Sequence, residues 1–156
     1  MKVSFELNGQ ACSVETQGRS LLVDVLRDQL GLTGTHVGCD TSQCGCCTVL
    51  VDGQGVKSCT LLAGQVEGCR ITTIEGASSG TLHPVQRAFT ECHALQCGFC
   101  TPGMVMATVS LLRRHPRPTA EQIEDGLAGN FCRCTGYAAI IDAVRRAASL
   151  MAEARS

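Results

Sequence analysis

Twelve cysteines stand in a chain of 156 residues, and most of them fall into two spaced groups. At that density, disulfides or metal sites become the main organising force. The cellular compartment decides between the two. Disulfides persist in oxidising settings, which secreted chains reach behind a basic and then apolar leader. This chain begins MKVSFELNGQACSVE, where Val3, Phe5 and Leu7 alternate with polar neighbours as a strand does. No run of about 18 apolar residues follows that could span a membrane. The expectation is a cytoplasmic protein whose cysteines are reduced thiolates that bind metal.

Composition removes several partners. Charged residues make up 17% and the net charge is −1, so no strong field steers the chain to nucleic acid or to an anionic membrane. Aromatics are 3%, with no Trp and one Tyr, which excludes a base-stacking surface. An apolar fraction of 44% supports a folded core.

Patterning divides the chain. Residues 2–7 and 11–16 alternate as strands around Asn8-Gly9, a hairpin signal. Ser20 is the expected N-cap of a helix whose face is Leu21, Leu22, Val25, Leu26 and Leu30, closed by Gly31 and Gly34. Strands are expected at 48–51, ending at Asp52-Gly53, and at 70–74. Four strands and one helix suit a small sheet with a helix on one face. The polar stretch EGASSG (75–80) reads as a joint, giving domains 1–76 and 77–156. The second half reads as four short helices: one opening at Pro84, one capped by Thr101, one with a Thr119/Gln122 capping box, and one after Gly136.

The first cysteine group is Cys39-x4-Cys44-x2-Cys47, followed by Cys59. This is the plant-type [2Fe–2S] spacing, in which a loop wraps thiolates around two irons. Gly38 and Gly45 are expected to supply left-handed turns to that loop. The second group is Cys97-x2-Cys100 with Cys132-x-Cys134. Four thiolates on two interhelical loops suit either [2Fe–2S] or structural zinc. A competing register, Cys92-x4-Cys97-x2-Cys100, repeats the plant-type spacing, but no glycine precedes Cys97 to help that segment wrap. Cys12 and Cys69 read as small core residues. Cys46 lies inside the first loop, where the spacing prefers Cys47 as the ligand.

No nucleophile–base arrangement stands out among His36, His83, His93 and His115, and Cys92-His93 lacks an orienting third group. Neither C-x-x-C-H, G-x-G-x-x-G nor a Walker loop occurs, which argues against c-type haem and nucleotide binding.

At the motifs GCDTSQCGCCTV (38–49), SCT (58–60), LQCGFCTPGM (95–104) and GNFCRCTGY (129–137), the chain resembles the small iron–sulfur subunit of the xanthine oxidase family of molybdenum hydroxylases. GCDTS, KSCT and ITTIEG are most similar to the carbon monoxide dehydrogenase type. The resemblance implies an α+β protein: an N-terminal β-grasp, plant-ferredoxin-like domain, then an all-α four-helix domain, each with one [2Fe–2S] cluster. It assigns Cys39, Cys44, Cys47 and Cys59 to the cluster nearer a flavin. It assigns Cys97, Cys100, Cys132 and Cys134 to the cluster nearer molybdenum, against zinc and against Cys92. It implies that Gln96 and Cys134 approach the molybdopterin, as its cytosine dinucleotide, held by a large subunit. FAD would sit on a medium subunit, in a heterotrimer or a dimer of heterotrimers. The implied role is electron transfer from molybdenum to FAD, with substrate chemistry on the large partner. The alternative is a free-standing two-cluster ferredoxin or reductase module. Relatives usually carry a small residue, often Ala, where this chain has Cys46.

Overall fold

The computed structural model describes residues 1–154. Strands β1 (Lys2–Leu7) and β2 (Gln10–Glu15) pair antiparallel across Asn8-Gly9, both of which adopt positive φ (51° and 83°). Two left-handed residues make a turn whose twist matches the strands it joins. The same device recurs at Asp52-Gly53 (φ 49° and 84°), joining β3 (Thr48–Val51) to β4 (Gln54–Lys57). β5 (Arg70–Thr72) lies between the hairpins, parallel to β1 and antiparallel to β3, giving the order β2-β1-β5-β3-β4.

The central residues of β3, Val49 and Leu50, are both apolar because both faces of the strand are covered. Val49 points into a core made with Val3, Phe5, Leu22, Val25, Leu26 and Ile71. Leu50 points the other way, into the core of the helical half. Burying each such side chain contributes about 1.5–3 kcal/mol, so β3 holds the two halves together.

The segment on the first face departs from a simple helix. α1 spans only Leu22–Asp24 and passes into a π-helical turn, Val25–Gln29, that ends at Gly31 (φ 70°). The wider turn still buries Leu22, Val25 and Leu26. Ser20 does not cap it. The Leu22 N–H donates instead to the Leu61 carbonyl at 2.8 Å, so the neighbouring chain satisfies the helix start. β4 is a strand absent from the sequence reading, and Ile74 belongs to a 3-10 turn (Ile74–Gly76) rather than to β5.

Helices α2 (Pro84–Glu91), α3 (Thr101–Arg114), α4 (Ala120–Leu127) and α5 (Ala138–Glu153) form the second half. α2 and α5 pack through Val85, Ala88, Phe89, Ile140, Ala143, Val144 and Ala147, whose small members let the axes approach. α4 has the expected capping box: Gln122 N donates to Thr119 Oγ1 and Thr119 N to Gln122 Oε1. Thr101 is the first helical residue of α3, not its cap, and its buried hydroxyl has no hydrogen-bond partner. Among the described residues no helix is long and apolar enough to cross a membrane.

α2 is capped by His83, whose Nδ1 accepts from Val85 N at 3.2 Å. Only an unprotonated Nδ1 can accept. Burial, then the nearby Arg113, lowers the His83 pKa from its ordinary 6.5. The folded chain therefore binds this proton less readily than the unfolded chain. The stabilisation is complete above pH 6.5 and is lost as pH falls below it. His83→Asn, which caps without titrating, is expected to flatten that acid-side loss in Tm measured from about pH 8 to about pH 5. An unchanged slope would remove His83 as its source.

Candidate metal centres

The first cysteine loop runs from α1 into β3. Its left-handed residues are Ser42 (φ 63°) and Gly45 (φ 72°), while Gly38 is not left-handed, contrary to expectation. Gly38 serves close approach instead: a Cβ there would lie 3.2 Å from the sulfurs of both Cys44 and Cys46 and from Phe99 Cε1. The Lys57 ammonium donates to the Ser42 carbonyl at 2.5 Å, and the buried Ser58 hydroxyl to the Cys47 carbonyl at 2.7 Å. These bonds tie the loop to β4 and to the 3-10 turn Ser58–Thr60 that presents Cys59.

The four sulfurs meet in two pairs. Cys44 N donates to the Cys39 sulfur at 3.4 Å, and the N–H groups of Cys44 and Thr41 pull the Cys39 pKa down to about 6. Cys39 is thus a thiolate at neutral pH, ready to bind a cation. Cys59 neighbours Cys47, and burial followed by that contact raises its pKa to about 11. A metal ion would have to displace the proton there.

The second group also meets in pairs. The sulfurs of Cys97 and Cys134 are 3.5 Å apart, and both residues are exposed. Gly98 (φ 82°) turns the chain between Cys97 and Cys100. Burial, then the neighbouring Cys132, pushes Cys100 up to about 12. At Cys132 burial also acts upward, but hydrogen bonds from the Thr135 hydroxyl (3.2 Å) and from the N–H groups of Cys134 and Thr135 outweigh it and lower the pKa. Tyr137 fixes this loop, its hydroxyl accepting from Cys132 N at 2.9 Å.

The two loops touch. Phe131 N donates to the Cys44 carbonyl at 2.8 Å, and Asn130 Nδ2 donates to the Gly45 carbonyl at 2.9 Å and to Thr48 Oγ1 at 3.2 Å. His36 stacks on Phe99 at 4.8 Å, with Nδ1 donating to the Phe99 carbonyl at 2.7 Å. Cys46 is 5% exposed at this joint, and burial, then Cys44, raises its pKa to about 12, leaving it a thiol. A cleft of about 180 Å³ reaches from Cys44 and Cys46 to Cys100, Cys132 and Cys134.

Cys92 lies at the C-terminal end of α2, against the helical core, and Cys12 and Cys69 are half-buried at the edge of the sheet's core. Sequence reasoning missed Ser58, Asn130, Thr135 and Tyr137, which hold the loops. They stand inside or beside the cysteine motifs, which was the available signal. Among the described residues no three His, Cys, Asp or Glu side chains converge as a single ion requires. Two pairs of cysteine sulfurs per site instead suit a [2Fe–2S] cluster, in which each iron takes two thiolates. Tetrahedral zinc would need all four around one point.

A family model described as "2Fe-2S iron-sulfur cluster binding domain" matches residues 5–73, and one described as "[2Fe-2S] binding domain" matches residues 73–145. The chain is 46% identical over 144 residues to the nicotine 6-hydroxylase small subunit of Paenarthrobacter nicotinovorans, covering 92% of this chain and 87% of that one. It is 44% identical over 146 residues to the nicotinate dehydrogenase small FeS subunit of Eubacterium barkeri, covering 93% of each. A chain of quinoline 2-oxidoreductase from Pseudomonas putida 86 superposes with a TM-score of 0.93 at 43% identity, covering 100% of this chain and 98% of that one. The mixed α/β fold, the paired thiolates and these full-length relatives agree, and the chain belongs to the family of [2Fe–2S] iron–sulfur subunits of the xanthine oxidase type.

Proposed function

We propose that the chain is the electron-transfer subunit of a molybdenum hydroxylase, working between a molybdopterin centre on a large partner and FAD on a medium one. The observation that carries this is the pair of four-thiolate sites joined by the Phe131–Cys44 hydrogen bond. Cys39, Cys44, Cys47 and Cys59 would hold one [2Fe–2S] cluster, and Cys97, Cys100, Cys132 and Cys134 the other. Each cluster, when bound, supplies a one-electron couple, which suits a donor that releases electrons in pairs.

The residues of this chain set the conditions for that couple. N–H groups around Cys39 and the Thr135 hydroxyl at Cys132 stabilise the negative charge on sulfur. Gln96 is exposed and next in sequence to Cys97, whose sulfur lies beside Cys134. These two residues are the chain's contacts to the molybdopterin, as its cytosine dinucleotide, in our reading. Exposed Val37, Leu95, Phe99 and Phe131 near that end suit burial by the large partner. We place the division between a β-grasp half and a four-helix half at Gly76–Ala77. GCDTS, KSCT and ITTIEG support a small subunit of the carbon monoxide dehydrogenase type, in a cytoplasmic heterotrimer or a dimer of heterotrimers.

The test is iron, zinc and acid-labile sulfide per chain, on protein purified with whatever accompanies it. About four iron and about four sulfide are expected, together with two larger chains. Zinc without sulfide would overturn the reading. Full clusters on a chain that never associates would favour the free-standing ferredoxin.

A further inference from the structure

We propose that Cys46 is a positioning residue that sets the redox potential of the centre held by Cys39, Cys44, Cys47 and Cys59. It does so by donating its S–H to the Cys44 sulfur from the side that faces the second centre. The inference rests on the reading above that both sites hold [2Fe–2S] clusters.

Three observations place the thiol. Cys46 is buried, and its sulfur and that of Cys44 flank Gly38, each 3.2 Å from where a Cβ on that glycine would lie. Cys46 also lines the cleft that leads to Cys100 and Cys132. Gly103 of α3 presses on the Cys46 backbone so closely that a Cβ there would come within 2.9 Å of its Cα and carbonyl oxygen. The main chain at Cys46 is therefore clamped, and its side chain lies beside Cys44.

A thiol is a weak donor, but the centre gains one negative charge when it is reduced, and its ligand sulfurs carry part of that charge. A donor aimed at a ligand sulfur favours the reduced state and raises the potential. Only an electron arrives, from the partner's oxidation of substrate, and the thiol keeps its proton. Because Cys46 stands between the two sites, it raises the potential of the accepting centre at the edge where the electron enters.

The experiment uses the purified complex with Cys46→Ala and Cys46→Ser. Iron and sulfide are counted first, and both variants are expected to match the parent. In a redox titration followed by electron paramagnetic resonance, Cys46→Ala should lower the ratio of reduced to oxidised first centre about threefold at fixed ambient potential. The second centre should not move, and Cys46→Ser, which keeps a donor, should restore the first. An unmoved potential in Cys46→Ala, or equal shifts in both variants, would overturn the proposal. Loss of iron in Cys46→Ala would overturn it differently, by making Cys46 a ligand. A parent complex lacking [2Fe–2S] clusters would instead sink the reading beneath it.

Discussion

Replacing Cys132 by alanine is expected to halve the iron and acid-labile sulfide of the chain, from about four of each to about two. Cys132 is 6% exposed and is held by Tyr137 and Thr135, so its sulfur has a fixed place in the second site. Its partner Cys100 would be left without the neighbour that completes its pair. The change removes a single buried sulfur, a loss of about 1 kcal/mol in packing, so the chain should remain folded. Signals of the first centre should persist, because Cys39, Cys44, Cys47 and Cys59 keep their own backbone supports. Cys92→Ala is the control and should leave the iron content unchanged. If Cys132→Ala kept all its iron while Cys92→Ala lost half, the competing register that begins at Cys92 would be correct.

Gly103→Ala should be damaging although the substitution is conservative. Two effects oppose each other. Alanine favours a helix over glycine by about 1 kcal/mol. At Gly103, however, the new Cβ would collide with the Gly45 carbonyl oxygen and crowd Cys46 Cα and O at 2.9 Å. These are backbone atoms of a clamped loop and cannot swing aside, so overpacking of about 3 kcal/mol wins. The net loss of about 2 kcal/mol corresponds to a fall in Tm of about 4–8 °C at this chain length. It should come with incomplete clusters, since α3 carries Cys100 at its start and the first loop carries Cys44 and Cys47. Gly126→Ala offers the comparison. The nearest atoms to its Cβ would be those of the Leu111 side chain, which yields more readily than backbone, so the loss should be smaller. Equal Tm values for the two variants would refute the clamp.

Much of this architecture was legible in the residues. Asn8-Gly9 and the alternation around it specify β1 and β2, and Thr119 with Gln122 specifies the start of α4. What escaped was decided by distant chain. Ser20 is a good cap by type, yet the Leu61 carbonyl reaches the helix start first. The π-helical turn at Val25–Gln29 buries the same apolar residues as an α-helix, so periodicity alone does not separate them. β4 has only Val56 as an apolar signal, and its pairing was announced by Asp52-Gly53 instead. Both cysteine groups stand out from their spacing alone. That the loops are bonded to each other through Phe131 and Asn130 depends on tertiary docking and has no local signature.

Tyr137 gives the molecule a built-in optical gauge. It is the sole tyrosine, and the chain has no tryptophan. Its hydroxyl is bonded to the main chain of Cys132, so all the tyrosine emission of the protein originates within one residue's reach of the second centre. The sheet half contributes no such emission. A change in that emission therefore reports on the loop that carries Cys132, and a shift of the first loop reaches it through the joint between the two loops.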